Sequence, residues 1–242
     1  MSEPVEQPPA TSNAPGAELN APARRALREA RTEAVVVLAI YVALLGGLAA
    51  IDKAKGWGLI EFPWWAWLLL ASPPLLLMTL LIALPLAELS PGRVRNAGVA
   101  LLGLLVAADV FGVVVLLAAL AGSDAGSLSA GELLTHGAVV WLANIITFGL
   151  LFWLLDVGGP RVRAERGRAD PDFLFPQDTI PGADWSSRLS DYLYVSLTNA
   201  IAVSPTDTMP LTRRAKGLMA VESLISYAVA LLVVARAVNI LG

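Results

Sequence analysis

The sequence predicts an all-α integral membrane protein, a helix bundle of about five spans with one further short helix that is re-entrant or interfacial. The 242 residues are 56% hydrophobic and only 15% charged, whereas a soluble domain carries about a quarter charged residues. The apolar residues are gathered into runs of about 18 residues or more, the length that crosses the hydrocarbon core of a bilayer. The lipid bilayer is therefore the first expected partner.

Net charge and the rare residue types narrow the function classes. The net charge is −3, which does not favour a nucleic-acid partner. The chain has no cysteine and one histidine, which excludes thiolate and multi-histidine metal sites. No glycine-rich phosphate loop is present, and no serine has a histidine partner on the same predicted side of the membrane. We therefore expect no metal, no cofactor and no enzymatic activity.

The apolar runs divide the chain into four regions. Residues 1–32 predict a cytoplasmic tail, disordered and then amphipathic, because they hold little large apolar surface. A four-span bundle over 33–156, a polar cytoplasmic connector over 157–190 and a C-terminal module over 191–242 follow. The predicted spans are Ala34 to Ile51, Pro63 to Ala87, Ala97 to Ala121, Glu132 to Leu155 and Leu218 to Leu241.

Aromatic residues and prolines add detail to the second span and the connector. Trp64, Trp65 and Trp67 open the span and are typical of a membrane interface. Pro73-Pro74 lies near its middle and predicts a kink. In the connector, residues 172–177 form the only apolar cluster, which we expect to dock on the membrane surface or on the bundle.

Lysine and arginine counts predict the orientation. The N-terminal segment carries four of these residues, the loop between spans 2 and 3 two, and the connector five. The loop between spans 1 and 2 carries two, and that between spans 3 and 4 none. Because basic loops stay in the cytoplasm, the N-terminus and the connector are predicted to be cytoplasmic. Arginine-rich, alanine-rich composition favours a bacterial inner membrane.

The C-terminal module holds the main candidate site. Tyr192 to Val203 is an apolar stretch of about a dozen residues, which as a helix spans roughly 18 Å, about half a bilayer. A polar break separates it from the last span. Such backbone survives at membrane depth only where protein or water satisfies it. The candidate ion-pathway residues are Thr198, Asn199, Ser204, Thr206, Asp207 and Thr208, followed by Glu222 and Ser226 in the last span.

Residues 191–238 resemble the pore-loop module of two-helix bacterial potassium channels. The resemblance rests on Tyr-x-Tyr-Val-Ser-Leu-Thr, on a polar turn that ends in Asp207, and on a glutamate in the apolar helix that follows. It implies that Thr198 matches the filter threonine, Asp207 the closing aspartate and Glu222 an inner-helix glutamate. Residues 199–206 contain no glycine, so a potassium filter is not predicted. The whole chain also resembles a group of bacterial multi-span proteins, which implies no established activity.

Polar residues inside the other spans give a second candidate site. Asp109 lies in the middle of span 3, where a charge costs about 2.5–3.5 kcal/mol on insertion scales. Asn144 and Thr147 in span 4 are its expected partners. The group is either a proton relay or a set of interhelical hydrogen bonds. We expect His136 to lie at the outer interface and Asp156 to snorkel at a span end.

The C-terminal stretch also has a plain structural interpretation. Thr208 would cap the last span and Pro210 would lie in its first turn. Three functions therefore remain open. The first is a channel-like homo-oligomer, such as a tetramer, that conducts a monovalent ion, because one module cannot enclose a pore. The second is a proton-coupled carrier using Asp109 and Asn144, and the third is a structural or assembly protein.

Overall fold

A computed structural model describes residues 21–59, 62–84, 91–121, 128–182, 185–201 and 207–241. Its α-helices are α1 (Ala21–Lys55), α2 (Ala66–Leu70), α3 (Ser72–Ala83), α4 (Pro91–Ala121), α5 (Ala130–Leu155), α6 (Pro160–Arg166), α7 (Leu189–Ile201) and α8 (Arg213–Leu241). Within the described residues, five helical segments are long and apolar enough to cross a membrane. The predicted all-α membrane bundle with an additional short helix is confirmed.

Local chemistry sets two of the helix boundaries. The second span is divided, since α2 ends at Leu70 and α3 begins at Ser72 with two prolines in its first turn. Proline lacks the N–H that interior helical positions need, so the first turn accommodates it. The Thr212 hydroxyl accepts a hydrogen bond from the Ala215 N–H and caps α8. The predicted cap at Thr208 is therefore wrong, because the helix begins later.

Helix α5 lies at the centre of the bundle and packs against α1, α4, α7 and α8. Two of its glycines permit close approach. A Cβ built at Gly137 would lie 2.6 Å from Cγ2 of Val233 in α8, and one built at Gly149 would lie 2.7 Å from Cδ2 of Leu193 in α7. Both distances are far below van der Waals contact. The glycines thus bring α7 and α8 directly onto the α5 backbone.

Helices α7 and α8 both run antiparallel to α5. Along α8, Arg214 bonds the Leu155 carbonyl and Ser226 bonds Asn144 deeper in the bundle. Along α7, Ser196 bonds the Ile145 carbonyl, about 16 Å along α5 from Asp156 at the rise of a regular helix. Both helices therefore enter the bundle from the end where α5 finishes. The 13 residues of α7 span about 20 Å, roughly half a bilayer.

After α7 the chain returns to the same end of the bundle. A short strand, β2 (Met209–Pro210), pairs antiparallel with β1 (Phe173–Leu174) of the connector. The Leu211 N–H also bonds the Asp172 carbonyl. Phe173 and Phe175 are buried against the bundle, so the apolar cluster at 172–177 docks on protein. Helix α7 therefore begins, strand β2 lies and helix α8 begins at the same end of the bundle.

Candidate functional site

A buried polar cluster joins the inner part of α7 to α5 and α8. The Ser196 hydroxyl makes hydrogen bonds to the Ile145 carbonyl, at 2.8 Å, and to Glu222 Oε1. Asn199 Nδ2 donates to Glu222 Oε2 at 2.6 Å, and Ser223 donates to Asn199 Oδ1 at 2.9 Å. The Glu222 side chain has no solvent exposure. Each of its carboxyl oxygens therefore has a hydrogen-bond partner supplied by α7.

Polar groups of α5 continue this cluster by one helical turn. Asn144 Nδ2 donates to Ser226 Oγ at 2.8 Å, and both residues are buried. Thr147 lies three residues further along α5, on the same face, and is also buried. Among the described residues, Asn144 Oδ1 and Thr147 Oγ1 have no hydrogen-bond partner of normal geometry. Asn144 Oδ1 is thus a buried acceptor available at this level.

Asp109 of α4 and Tyr41 of α1 complete the group from the other side. Both are almost fully buried. Tyr41 lies close to Asp109 and Thr147, and Asp109 is within electrostatic range of Glu222. Asp109 Oδ2 has no partner in the described part of the chain. We call this set the central cluster: Tyr41, Asp109, Asn144, Thr147, Ser196, Asn199, Glu222, Ser223 and Ser226.

Apolar layers separate the central cluster from both ends of α5. Phe148 and Phe152 pack in a tilted arrangement with 6.0 Å between ring centroids, and Phe152 packs against Phe173 of the connector at 5.1 Å. Towards the other end, buried Val140 lies between Asn144 and His136, which are about 12 Å apart along the helix. Apolar side chains therefore lie between the central cluster and each end of α5, while Asn199 and Ser223 remain partly exposed.

A second polar cluster closes the end of the bundle where α5 finishes. Asp156 Oδ2 accepts hydrogen bonds from Arg168 at 2.6 Å and from the Tyr192 hydroxyl at 2.5 Å, and Oδ1 accepts from the Asp172 N–H at 2.7 Å. Asp156 is fully buried, so the prediction that it snorkels is wrong. Its partners stand far along the chain, where no local pattern reveals them.

Arg168 is the cationic centre of this second cluster. It also bonds the Phe173 carbonyl, Ser187 and Asp178. Burial disfavours the charged guanidinium, but Tyr192, Asp156 and Asp178 outweigh that cost and raise the pKa of Arg168. The arginine therefore stays charged and fixes the connector on the bundle.

A third polar cluster lies at the opposite end. Asp52 of α1 accepts from the Trp67 indole N–H at 2.8 Å and meets His136 Nε2 at 3.1 Å, all three being buried. Glu132, also buried, accepts from the Gly58 N–H at 3.0 Å. His136 and Trp67 are thus buried near this end of the bundle, and each has a hydrogen-bond partner in Asp52.

The predicted site residues fall into three groups. Asn199, Glu222, Ser226, Asn144, Thr147 and Asp109 all belong to the central cluster. Among the described residues, Thr198 bonds only carbonyls of its own helix. Asp207 is exposed, and Thr208 is buried near the β-strand pair. Ser204 and Thr206 lie outside the described residues. Asn144 bonds Ser226, not Asp109 as expected.

Sequence reasoning missed Tyr41 and Ser196 of the central cluster and the partnership of Asp52 with His136. Tyr41 could have been identified because its hydroxyl stands out in the apolar span 1. Ser196 could have been identified because it lies three residues before Asn199, on the same helix face. The Asp52–His136 pair depends on tertiary packing alone. Comparison with known proteins adds no assignment, since no family model, curated protein or solved structure matches the chain.

Proposed function

We propose that the chain translocates protons through the interior of its own bundle, as a proton-driven carrier does, with Asp109 and Glu222 as the groups that take up and release the proton. The observation that carries this proposal is the central cluster. It holds two buried carboxyl groups from different helices, within electrostatic range of each other. Both lie in predicted membrane-spanning helices.

The energetic cost of these two acids supports a functional role. A carboxyl at membrane depth is costly, and one that only joins helices can be replaced by an amide or hydroxyl at lower cost. Buried polar atoms in native proteins almost always have partners. Asp109 Oδ2 lacks one among the described residues. An acid with a spare acceptor is suited to receive a proton or a water molecule.

The apolar layers favour a carrier over an open pore. Polar groups that line an open path would be exposed, yet Glu222 and Ser226 have no exposure. The exposed face of α8 is apolar, with Leu224 70% and Tyr227 60% exposed. A carboxyl buried in this way, with apolar residues towards both ends of α5, fits a carrier state in which neither side has open access to it.

We expect Asp109→Asn to reduce proton flux by about a hundredfold, the contribution typical of a positioned acid or base. The amide keeps the side-chain volume but cannot exchange the proton. Flux is measured in liposomes under an imposed potential with an enclosed pH dye. Asp170→Asn, at an exposed connector position, serves as the matched control and should equal the wild type. Wild-type flux in Asp109→Asn would contradict the proposed path.

A channel-like oligomer is the second candidate, favoured by the path of α7. The short helix enters the bundle, the chain returns to the same end and α8 follows, which is the order of a pore-loop module. A monovalent ion would then pass between protomers. In this case Asp207→Ala, at an exposed position, would abolish conduction and Asp109→Asn would not. If liposomes that contain the protein show no flux above background, the structural or assembly role is the one that remains.

The proposal keeps the orientation predicted from the lysine and arginine counts. The connector would lie in the cytoplasm of a bacterium and the Asp52–His136 end outside the inner membrane. Because the chain has no cysteine, a Glu165→Cys variant carries a single thiol on the exposed part of α6. We expect a membrane-impermeant maleimide to label it only after cells are opened. Labelling in intact cells would reverse the orientation.

A further inference from the structure

Hydrogen-bond geometry fixes one proton in the pair formed by Asp52 and His136. Nδ1 of His136 lies 2.8 Å from the Glu132 backbone carbonyl, which can only accept, so Nδ1 carries a hydrogen. Nε2 faces Asp52 Oδ2 at 3.1 Å. If neither atom carried a proton, two acceptors would face each other. One proton is therefore shared between Nε2 and Oδ2.

The surroundings of Asp52 and His136 allow the pair to do more than connect α1 to α5 by a hydrogen bond. Asp52 Oδ1 is buried and has no partner among the described residues, which leaves one acceptor for an incoming proton or water. Asp52 stands three residues before the end of α1 at Lys55, about 5 Å along the helix from the bundle end. The central cluster, by contrast, lies beyond an apolar layer.

We propose that Asp52 and His136 form a proton-exchange site at the end of the bundle opposite the Asp156 cluster, from which protons enter or leave the central cluster. The inference rests on the proposed function and names one of its two terminal sites. A proton arriving at Asp52 Oδ1 gives a protonated carboxyl beside an imidazolium. Its departure restores the single shared proton, so that the proton count is conserved through the exchange.

Among the described residues, the other charged groups near Asp52 and His136 are already engaged in other contacts. The pair itself is therefore the unit that exchanges the proton. Glu132 of α5 is engaged by the Gly58 N–H at 3.0 Å. Lys53 and Lys55 of α1 lie over the rings of Trp64 and Trp57 at 4.7 and 4.2 Å. The α2 contribution is Trp67, which donates and does not titrate.

The single histidine of the chain permits a direct test. Full-length protein with ¹⁵N-labelled histidine in lipid vesicles gives signals from one imidazole. We expect both ring nitrogens to report the shared proton, with a pH response that Asp52→Asn removes, because the amide cannot release a proton. Asp170→Asn, at an exposed connector position away from the pair, should keep the response. Identical responses in wild type and Asp52→Asn would overturn the inference.

Proton flux in the same vesicles separates this inference from the proposed function. We expect His136→Gln to lower flux by about tenfold or more and to abolish its pH dependence on that side. Asp170→Asn, at an exposed connector position, should change neither. If the wild type shows flux and His136→Gln shows the same flux, the exchange site is overturned and the role of the central cluster is unaffected. Absence of flux in the wild type would instead refute the proposed function, while the imidazole signals still decide whether the pair holds a proton.

Discussion

Replacing Asp156 by Ala is expected to destabilise the protein by about 3–5 kcal/mol, the cost of removing one partner of a buried ion pair. The Asp156 side chain is fully buried, and the Arg168 side chain is 11% exposed. Without the carboxylate, the guanidinium keeps its charge but loses its main buried counter-ion. The Asp172 N–H also loses its acceptor. The free energy of unfolding, measured by denaturant titration in mixed micelles, gives the result.

A carboxylate on the connector helix α6 provides the control for Asp156→Ala. Glu165 pairs with Arg161 at 2.9 Å within α6, and its side chain is 31% exposed. A pair of this kind contributes about 0.3–0.5 kcal/mol. Glu165→Ala should therefore change the free energy of unfolding only slightly. Equal losses in the two variants would show that the Asp156 cluster does not hold the connector on the bundle.

A double variant tests whether the loss comes from the unpaired cation. Arg168→Met keeps much of the side-chain length and removes the charge. If the buried guanidinium is the cause, Asp156→Ala combined with Arg168→Met should cost less than the two single changes added together. Strict additivity would assign the loss to packing and to backbone groups such as the Asp172 N–H.

The five spans were predictable because their signal is local. A run of about 18 apolar residues must cross the bilayer or be buried, and no distant contact changes that. The half-length of α7 followed for the same reason, since a dozen apolar residues cannot span the hydrocarbon core. Pro73 and Pro74 likewise marked the helix junction through their own chemistry.

The partners of the buried charges were not predictable, because they come from residues far apart in the sequence. Asp156 reads as a span-end residue that can snorkel, yet its neighbours stand 12 to 36 positions away. His136 and Asp52 are separated by 84 positions. Glu222 was singled out from the sequence as a polar residue of the last span, but its partners Ser196 and Asn199 depend on how α7 packs beside α8. Local hydropathy contains none of this information.

Replacing Glu222 by Gln is expected to reduce proton flux by about a hundredfold or more, while the protein still folds. Glutamine has nearly the volume of glutamate, and its amide oxygen can still accept the hydrogen bond from the Ser196 hydroxyl. It cannot take up or release a proton at neutral pH. Asn199 Nδ2 would then face an amide nitrogen, so a small loss of stability is expected as Asn199 reorients.

A substitution that keeps the Glu222 carboxyl but removes one of its hydrogen-bond partners distinguishes a role in proton transfer from a role in helix packing. Ser196→Ala deletes the hydroxyl that bonds Glu222 Oε1 and leaves the carboxyl in place. It should lower the free energy of unfolding by about 1 kcal/mol and retain measurable flux. Glu222→Gln should show the reverse, with near-normal unfolding and no flux. If flux instead follows unfolding free energy across both variants, Glu222 acts only by joining α7 to α8, and the proton path does not pass through it.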